Sequence, residues 1–283
     1  MSVEPLVLYE PEGRIAYLTL NRPEVRNALS AELQVDFNAA LDELGRDEEA
    51  RVVILRGAGP SFCSGFDLTR NSQSVQSTQH DPWKDRRRLL GWIDLALRLW
   101  ESPRPIIAQV QGHCLAGGIL LPLASDIVFI GESCAVGWPR LPMGAGFMDA
   151  AMSLLIGQRR AKEISYIVGS RISGTEAAEW GYANHAVPDD KLEQVTLEFA
   201  SRVAKTPRSV LEIRKAAITR AGSAFRDALL SGVEWDALAH VDPAVDETRG
   251  LVRKYGMKNV IEAFEGSDDV AATLASAKPS TDG

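Results

Sequence analysis

Cysteine, histidine and long apolar runs are all scarce in this chain of 283 residues. The three cysteines, Cys63, Cys114 and Cys134, are odd in number and show no CxxC spacing. They suggest neither a disulfide framework nor a zinc site, and they read as small buried thiols in a reducing cytoplasm. Only four histidines are present, and no block of Lys and Arg interrupts the sequence. With 31 basic against 38 acidic residues the formal charge is −7, which argues against nucleic acid and anionic membranes as partners. The longest apolar stretch, Cys114 to Ala124, holds two glycines and a proline and falls short of the about 20 residues a bilayer span needs. The opening MSVEPLVLYEPEG carries acids and no basic region, so no secretory leader is expected. No repeat of fixed period is visible, and neither a phosphate-binding P-loop nor a GxGxxG fingerprint is present.

What is present is ordinary globular material, 45% hydrophobic and 24% charged. A chain of this length buries about three quarters of its unfolded surface, enough for one sizeable core with or without a small appendage. Arg14 to Leu20 alternates as a strand, and Asn21-Arg22-Pro23 breaks it. Ser30 then caps a helix with Leu33, Phe37, Ala40, Leu41 and Leu44 at helical spacing, ended by Gly45. Arg51 to Leu55 is a β-branched run of the kind buried on both faces of a parallel sheet. Strands are also expected at Ile106 to Val110 and Asp126 to Ile130, with a polar surface loop over Asn71 to Gln79. From Ala150 onward the patterns are helical: a capping box at Ser173 and Glu176, then amphipathic helices near 190–204, 208–221, 223–240 and 244–255. Gly266 to Gly283 reads as a frayed tail. Strands first and helices last give an α/β core, residues 1–204, followed by a helical region, 205–265, and a flexible tail, 266–283.

Two glycine-bearing turns follow strands in this layout. One is Ser61-Phe62-Cys63-Ser64-Gly65-Phe66-Asp67-Leu68 and the other is Gly112-His113-Cys114-Leu115-Ala116-Gly117-Gly118. The carboxyl end of a strand is where open α/β sheets hold ligands. Two such turns side by side can aim two backbone N–H groups at one carbonyl oxygen, as an oxyanion hole does. The alternative is that the glycines serve tight turns and close packing alone.

The segments NRPEVRNALS, RVVILRGAGPSFCSGFDL, PIIAQVQGHCLAGGILLPLASDIVF and SGTEAAEWGYANHAVP, in this order, resemble the crotonase (enoyl-CoA hydratase/isomerase) superfamily over roughly residues 5 to 265. The resemblance implies a spiral of ββα units with a carboxyl-terminal helical trimerisation region, assembled as a trimer or a dimer of trimers. It implies an acyl-coenzyme A thioester as substrate, with coenzyme A part of the substrate and no separate cofactor or metal. By position, the N–H groups of Phe66 and Gly117 would hold the thioester oxygen, worth about 3–4 kcal/mol each by analogy with other oxyanion holes. Val25, Arg26 and Ala28 fall in the family's CoA-contacting loop, and Ser64, Phe66, Leu68 and Gly117 in the wall of its acyl pocket.

Two departures stand out. Hydratases of this family use two glutamates as acid and base, and here those positions hold Leu120 and Arg140, neither able to serve. Asp149 is the leading substitute, its alternative role being the N-cap of a helix over Ala150 to Ile156. His113 is either a pocket base or a packed side chain. Asp67 either stabilises its turn or touches substrate. Trp138, Arg140 and Phe147 are expected at the pocket roof, where Arg140 would meet an acyl carboxylate or a protein acid. The leading reading is thus an acyl-CoA enzyme working through an enolate. A non-catalytic acyl-CoA-binding protein and a thioester decarboxylase or hydrolase are the alternatives. Because coenzyme A is a polyanion, local positive charge is expected from Arg22 and Arg26 and from Arg249, Arg253, Lys254 and Lys258, while Arg86-Arg87-Arg88 reads either as a solvated helix face or as a contact to a coenzyme A phosphate.

Overall fold

The computed structural model describes residues 4–67, 81–138, 141–144 and 146–275. Nine strands are formed among them: β1 (Val7–Glu12), β2 (Ile15–Leu20), β3 (Val52–Gly57), β4 (Ile106–Val110), β5 (His113–Leu115), β6 (Ile127–Gly131), β7 (Ala135–Gly137), β8 (Arg171–Ser173) and β9 (His185–Val187). The main sheet runs β1-β2-β3-β4-β6-β9, and every pairing is parallel except that of β1 with β2. Pro11 is tolerated because β1 is an edge strand, where a missing ladder donor costs little. A second sheet, β5-β7-β8, stands beside it.

The β-branched run behaves as its composition requires. Val53 and Leu55 of β3 enter the main core, while Val52 and Ile54 enter a second cluster with Phe129, Leu192 and Ala200. Burial on both faces is what a continuous apolar strand needs. Helices cover both sides: α1 (Ala31–Arg46), α2 (Pro82–Trp100), the single turn α3 (Leu120–Leu123), α4 (Asp149–Ile156), α5 (Gln158–Tyr166), α6 (Gly174–Trp180) and α7 (Leu192–Val203). The helical end comprises α8 (Arg208–Ala221), α9 (Ser223–Ala239), α10 (Pro243–Tyr255), α11 (Met257–Gly266) and α12 (Val270–Ala275).

The expected caps form: Ser30 accepts from the Leu33 N–H, and Ser173 and Glu176 make a reciprocal capping box ahead of α6. Two boundaries differ. Gly45 lies inside α1, which continues to Arg46 and closes where the Asp47 N–H donates to Glu43 and Leu44 carbonyls. The expected frayed tail is helical over Val270–Ala275, because Asp269 caps that turn through the Ala272 N–H and Leu274 buries itself in the cluster of Tyr255 and Val260. The polar stretch Asn71 to Gln79 and residues 276–283 lie outside the described residues.

Candidate functional site

The two glycine turns are zipped together by their backbones. The Cys63 N–H donates to the His113 carbonyl at 3.0 Å, and the Leu115 N–H donates to the Cys63 carbonyl at 3.0 Å. On the other side of the first turn, the Leu29 N–H donates to Gly65 and the Asp67 N–H donates to Leu29. That parallel bridge uses the groups on either side of Phe66, so the Phe66 N–H itself points the opposite way. Gly117 is the second residue of a 3₁₀ turn, Ala116–Ile119, where an N–H has no partner within the helix.

Close approach makes this arrangement specific to glycine at position 65. Its φ of +97° favours glycine, and a methyl group there would lie 2.9 Å from Ala116 Cβ and from the Leu115 oxygen. Gly117 N would be 3.4 Å from that methyl, so the two turns meet at this point. Ala116 is held at φ 47°, a left-handed conformation that a side chain rarely adopts.

A third segment is tied to the first turn. Asn27 is fully buried, and its amide donates to the carbonyls of Ala58 and Ser61 at 2.9 and 2.8 Å. Arg22 donates to the Ala28 carbonyl and pairs with Asp67 at 2.9 Å, both side chains being buried. Ser64 donates its N–H to Arg26. The loop from Arg22 to Ser30 is therefore held by buried polar contacts of the kind that specify one conformation.

A cavity of about 590 Å³ opens against these turns, lined by Ser64, Phe66, Ala116 and Gly117 and roofed by Trp138 and Phe147. The Phe147 ring stacks on Phe66 with centroids 5.9 Å apart. Asp149 also lines the cavity, and Trp138 donates its indole N–H to Asp149 Oδ1 at 2.7 Å. Burial pushes the Asp149 carboxyl up to about 6, the nearby Asp236 charge adds to that, and the Trp138 donor works against it. Among the described residues, the carboxylates lining the cavity are Asp149 and Asp236. A carboxyl near 6 in the same cavity as these turns can exchange a proton with substrate or water near neutral pH.

A family profile described as enoyl-CoA hydratase/isomerase matches residues 10–258. The chain belongs to the enoyl-CoA hydratase/isomerase family. It is 32% identical over 212 residues to the enoyl-CoA hydratase EchA19 of Mycobacterium tuberculosis, covering 71% of this chain and 75% of that protein. It is also 32% identical over 214 residues to the hydroxycinnamoyl-CoA hydratase-lyase of Pseudomonas fluorescens, covering 74% and 76%. The crystal structure of an enoyl-CoA hydratase/isomerase from Xanthobacter autotrophicus Py2 superposes with a TM-score of 0.82 at 32% identity, over 95% of this chain and 96% of that one.

Within this family member, the predicted residues divide. Ser64, Phe66, Gly117, Trp138 and Asp149 come together in one cavity. Asp149 is the first residue of α4 rather than its N-cap, which is Met148, so its side chain is turned to Trp138. Val25 and Arg26 are exposed on the neighbouring loop, Ala28 is buried in it, and none of the three lines the cavity. Leu120 is fully buried. Leu68 and Arg140 lie outside the described residues. His113 meets Ser61 Oγ through Nδ1 at 3.1 Å and stays out of the cavity; partial burial and the charges of Arg26 and Arg171 hold its pKa below the usual value.

Three charge assignments are corrected. Arg22 is not available to a phosphate, since it is buried against Asp67, and the same pair occupies Asp67 in place of a substrate contact. Arg88 is only partly exposed and pairs with Asp85 at 2.7 Å at the cavity edge, while Arg87 of the same run is exposed. Arg249 turns inward and donates to the His240 and Met143 carbonyls. Arg253 pairs with Asp246 at 3.8 Å, and Lys258 with Glu262 at 3.9 Å.

One part of the cavity wall escaped the sequence reading altogether. His240, at the end of α9, donates from Nδ1 to Asp85 Oδ2 at 2.5 Å, and its Nε2 lies 3.7 Å from Asp236 Oδ2. The signal available was Gly232, Asp236 and His240 at spacing four, a small and polar line on a helix whose other buried positions are apolar.

Proposed function

We propose that this protein catalyses hydration-type chemistry on an acyl-CoA thioester. The reading is carried by one observation: Asp149, with its carboxyl raised to about 6, shares a cavity with the turns that present the Phe66 and Gly117 N–H groups. In this reading the thioester oxygen accepts from both N–H groups. Ionised Asp149 takes a proton from water as the oxygen adds at the β-carbon of a 2-enoyl thioester. The electron pair of the double bond moves to the thioester oxygen as an enolate, which the two donors stabilise. Asp149 then returns the proton to the α-carbon, so one carboxyl does the work that two glutamates share elsewhere in the family. The names of the relatives, two of them acting on CoA thioesters as hydratase or hydratase-lyase, support the substrate class. Exposed Ile213, Ile218 and Trp235 on α8 and α9 support assembly of several copies.

The test is hydration of 2-enoyl-CoA thioesters of several chain lengths by the protein and by Asp149→Asn. Turnover that rises with pH through about 6 and falls by about 10²–10⁴ in the variant is the expected result. Tight binding of every thioester without turnover would instead favour a pure acyl-CoA-binding protein. That alternative draws on the absence of any glutamate from the cavity lining among the described residues.

A further inference from the structure

One cation on the rim of the cavity has no part in the chemistry above. Arg171 lines the cavity from β8, and its position follows from the register of the small sheet. Leu115 of β5 pairs with Gly137 of β7, and Gly137 pairs with Arg171. Paired residues in a ladder share a face, and alternate residues do so along each strand. One face, with Cys114, Val136 and Ile172, is buried in the main core. The opposite face carries Arg171, Leu115 and His113.

Gly137 is bare because the space above it is taken. A side chain there would meet Arg171 Cγ at 2.7 Å, the Ser170 carbonyl oxygen at 2.8 Å and Leu115 Cδ2 at 3.3 Å. The Arg171 stem therefore leans over β7 toward Leu115, which also lines the cavity and stands two residues before Gly117. With neighbouring strands about 4.8 Å apart, the backbones of Leu115 and Arg171 are about 10 Å apart, and the stem spans part of that gap.

The protein leaves this charge unanswered. Among the described residues, no hydrogen bond or ion pair occupies the Arg171 guanidinium. The charges that bear on His113, on the same face, are those of Arg26 and Arg171, both positive. Asp149, in the same cavity, is engaged by Trp138. A free guanidinium fork suits a carboxylate, which it grips through two parallel hydrogen bonds. The phosphates of coenzyme A are separated from the thioester by the whole pantetheine arm, whereas Arg171 stands within a short acyl chain's length of the turn that carries Gly117. A carboxylate on the acyl group meets both conditions.

Resting on the acyl-CoA reading of the cavity, we propose that Arg171 is a specificity-determining residue that holds a carboxylate at the far end of a short acyl group. The substrates favoured are then CoA thioesters of dicarboxylic acids, with Leu115 packing along the chain between the thioester and the guanidinium.

Calorimetric binding of saturated CoA thioesters tests this without relying on turnover, comparing carboxylate-ended acyl groups with methyl-ended ones of matched length. Because Arg171 is exposed and unpaired, its substitution leaves the fold intact. At one chain length the carboxylate-ended thioester should bind about tenfold more tightly at low salt, and the preference should shrink as salt is added. Arg171→Gln should bring the two to equal affinity, and Arg171→Lys, which keeps the charge but loses the fork, should retain part of the preference. Equal affinities at every length overturn the subsite. A preference that survives Arg171→Gln, with both thioesters weakened alike, overturns it too and assigns Arg171 to a coenzyme A phosphate. Failure of every thioester to bind overturns the acyl-CoA reading together with it.

Discussion

In the wall that carries Phe66 and Gly117, positions are set by backbone: two turns joined by main-chain hydrogen bonds, a glycine at φ +97°, and a buried Arg22–Asp67 pair beneath them. In the facing wall, built from α9 and α10, positions are set by side chains, through His240, Asp85 and Arg249. The first kind of wall suits chemistry common to many substrates, because a main-chain donor is unchanged by substitution. The second suits discrimination, because one side chain can be exchanged without moving the frame. In the proposed reading, the wall set by backbone geometry is the one that would hold the reacting oxygen.

The contrast can be broken at measured points. The largest effect is expected at Asp67→Ala, which leaves Arg22 buried without its carboxylate and should cost about 3–5 kcal/mol in urea unfolding. A loss below about 1 kcal/mol would mean that the backbone bonds alone hold the turn. Asp149→Asn should act in the opposite direction. With a folded value near 6 against an ordinary 3.8, Asp149 holds its proton more tightly in the folded state, so stability falls as pH rises from about 4 to 6. The variant should therefore be more stable than the parent at pH 7, on the order of 1–2 kcal/mol after allowing for its partial exposure to solvent. That advantage should vanish below pH 4. Equal stabilities at pH 7 would show an unperturbed carboxyl.

Two smaller effects complete the series. Arg26→Glu places an acid on the exposed loop beside the first turn and should weaken coenzyme A binding several-fold at low salt, less so at high salt. An unchanged affinity would remove Arg26 from the site. Arg253→Ala removes a half-exposed pair to Asp246 in the helical wall and should change stability by less than about 1 kcal/mol. A loss as large as that of Asp67→Ala would erase the distinction between the walls.

The same distinction explains what could be read from sequence. The turns were legible because their chemistry is local: a β-branched or apolar strand followed by a glycine where the chain must turn, while the choice of Phe66 and Gly117 as donors came from the family resemblance. The run at Val52–Leu55 and the capping box at Ser173 were legible for the same reason. The three-residue strands β5, β7, β8 and β9 are too short to show a period of two, and β1, with Glu10, Pro11 and Glu12, shows none. Asp85 and His240 are brought together from α2 and α9 only by tertiary packing, so no spacing announced them. Arg22 illustrates the reverse case: a basic residue beside an expected ligand loop reads as positive charge for coenzyme A, and its partner Asp67 lies far along the chain. Charge was counted correctly, and its burial could not be counted.

The central claim is that a thioester oxygen sits between the N–H groups of Phe66 and Gly117. Infrared difference spectroscopy of an acyl-CoA labelled with ¹³C at the thioester carbonyl, bound to the protein, tests it directly. Two donors at that oxygen weaken the C=O bond, so the bound band should fall to lower frequency than the band of the free thioester. A bound thioester whose carbonyl band stays at its free position would contradict the account.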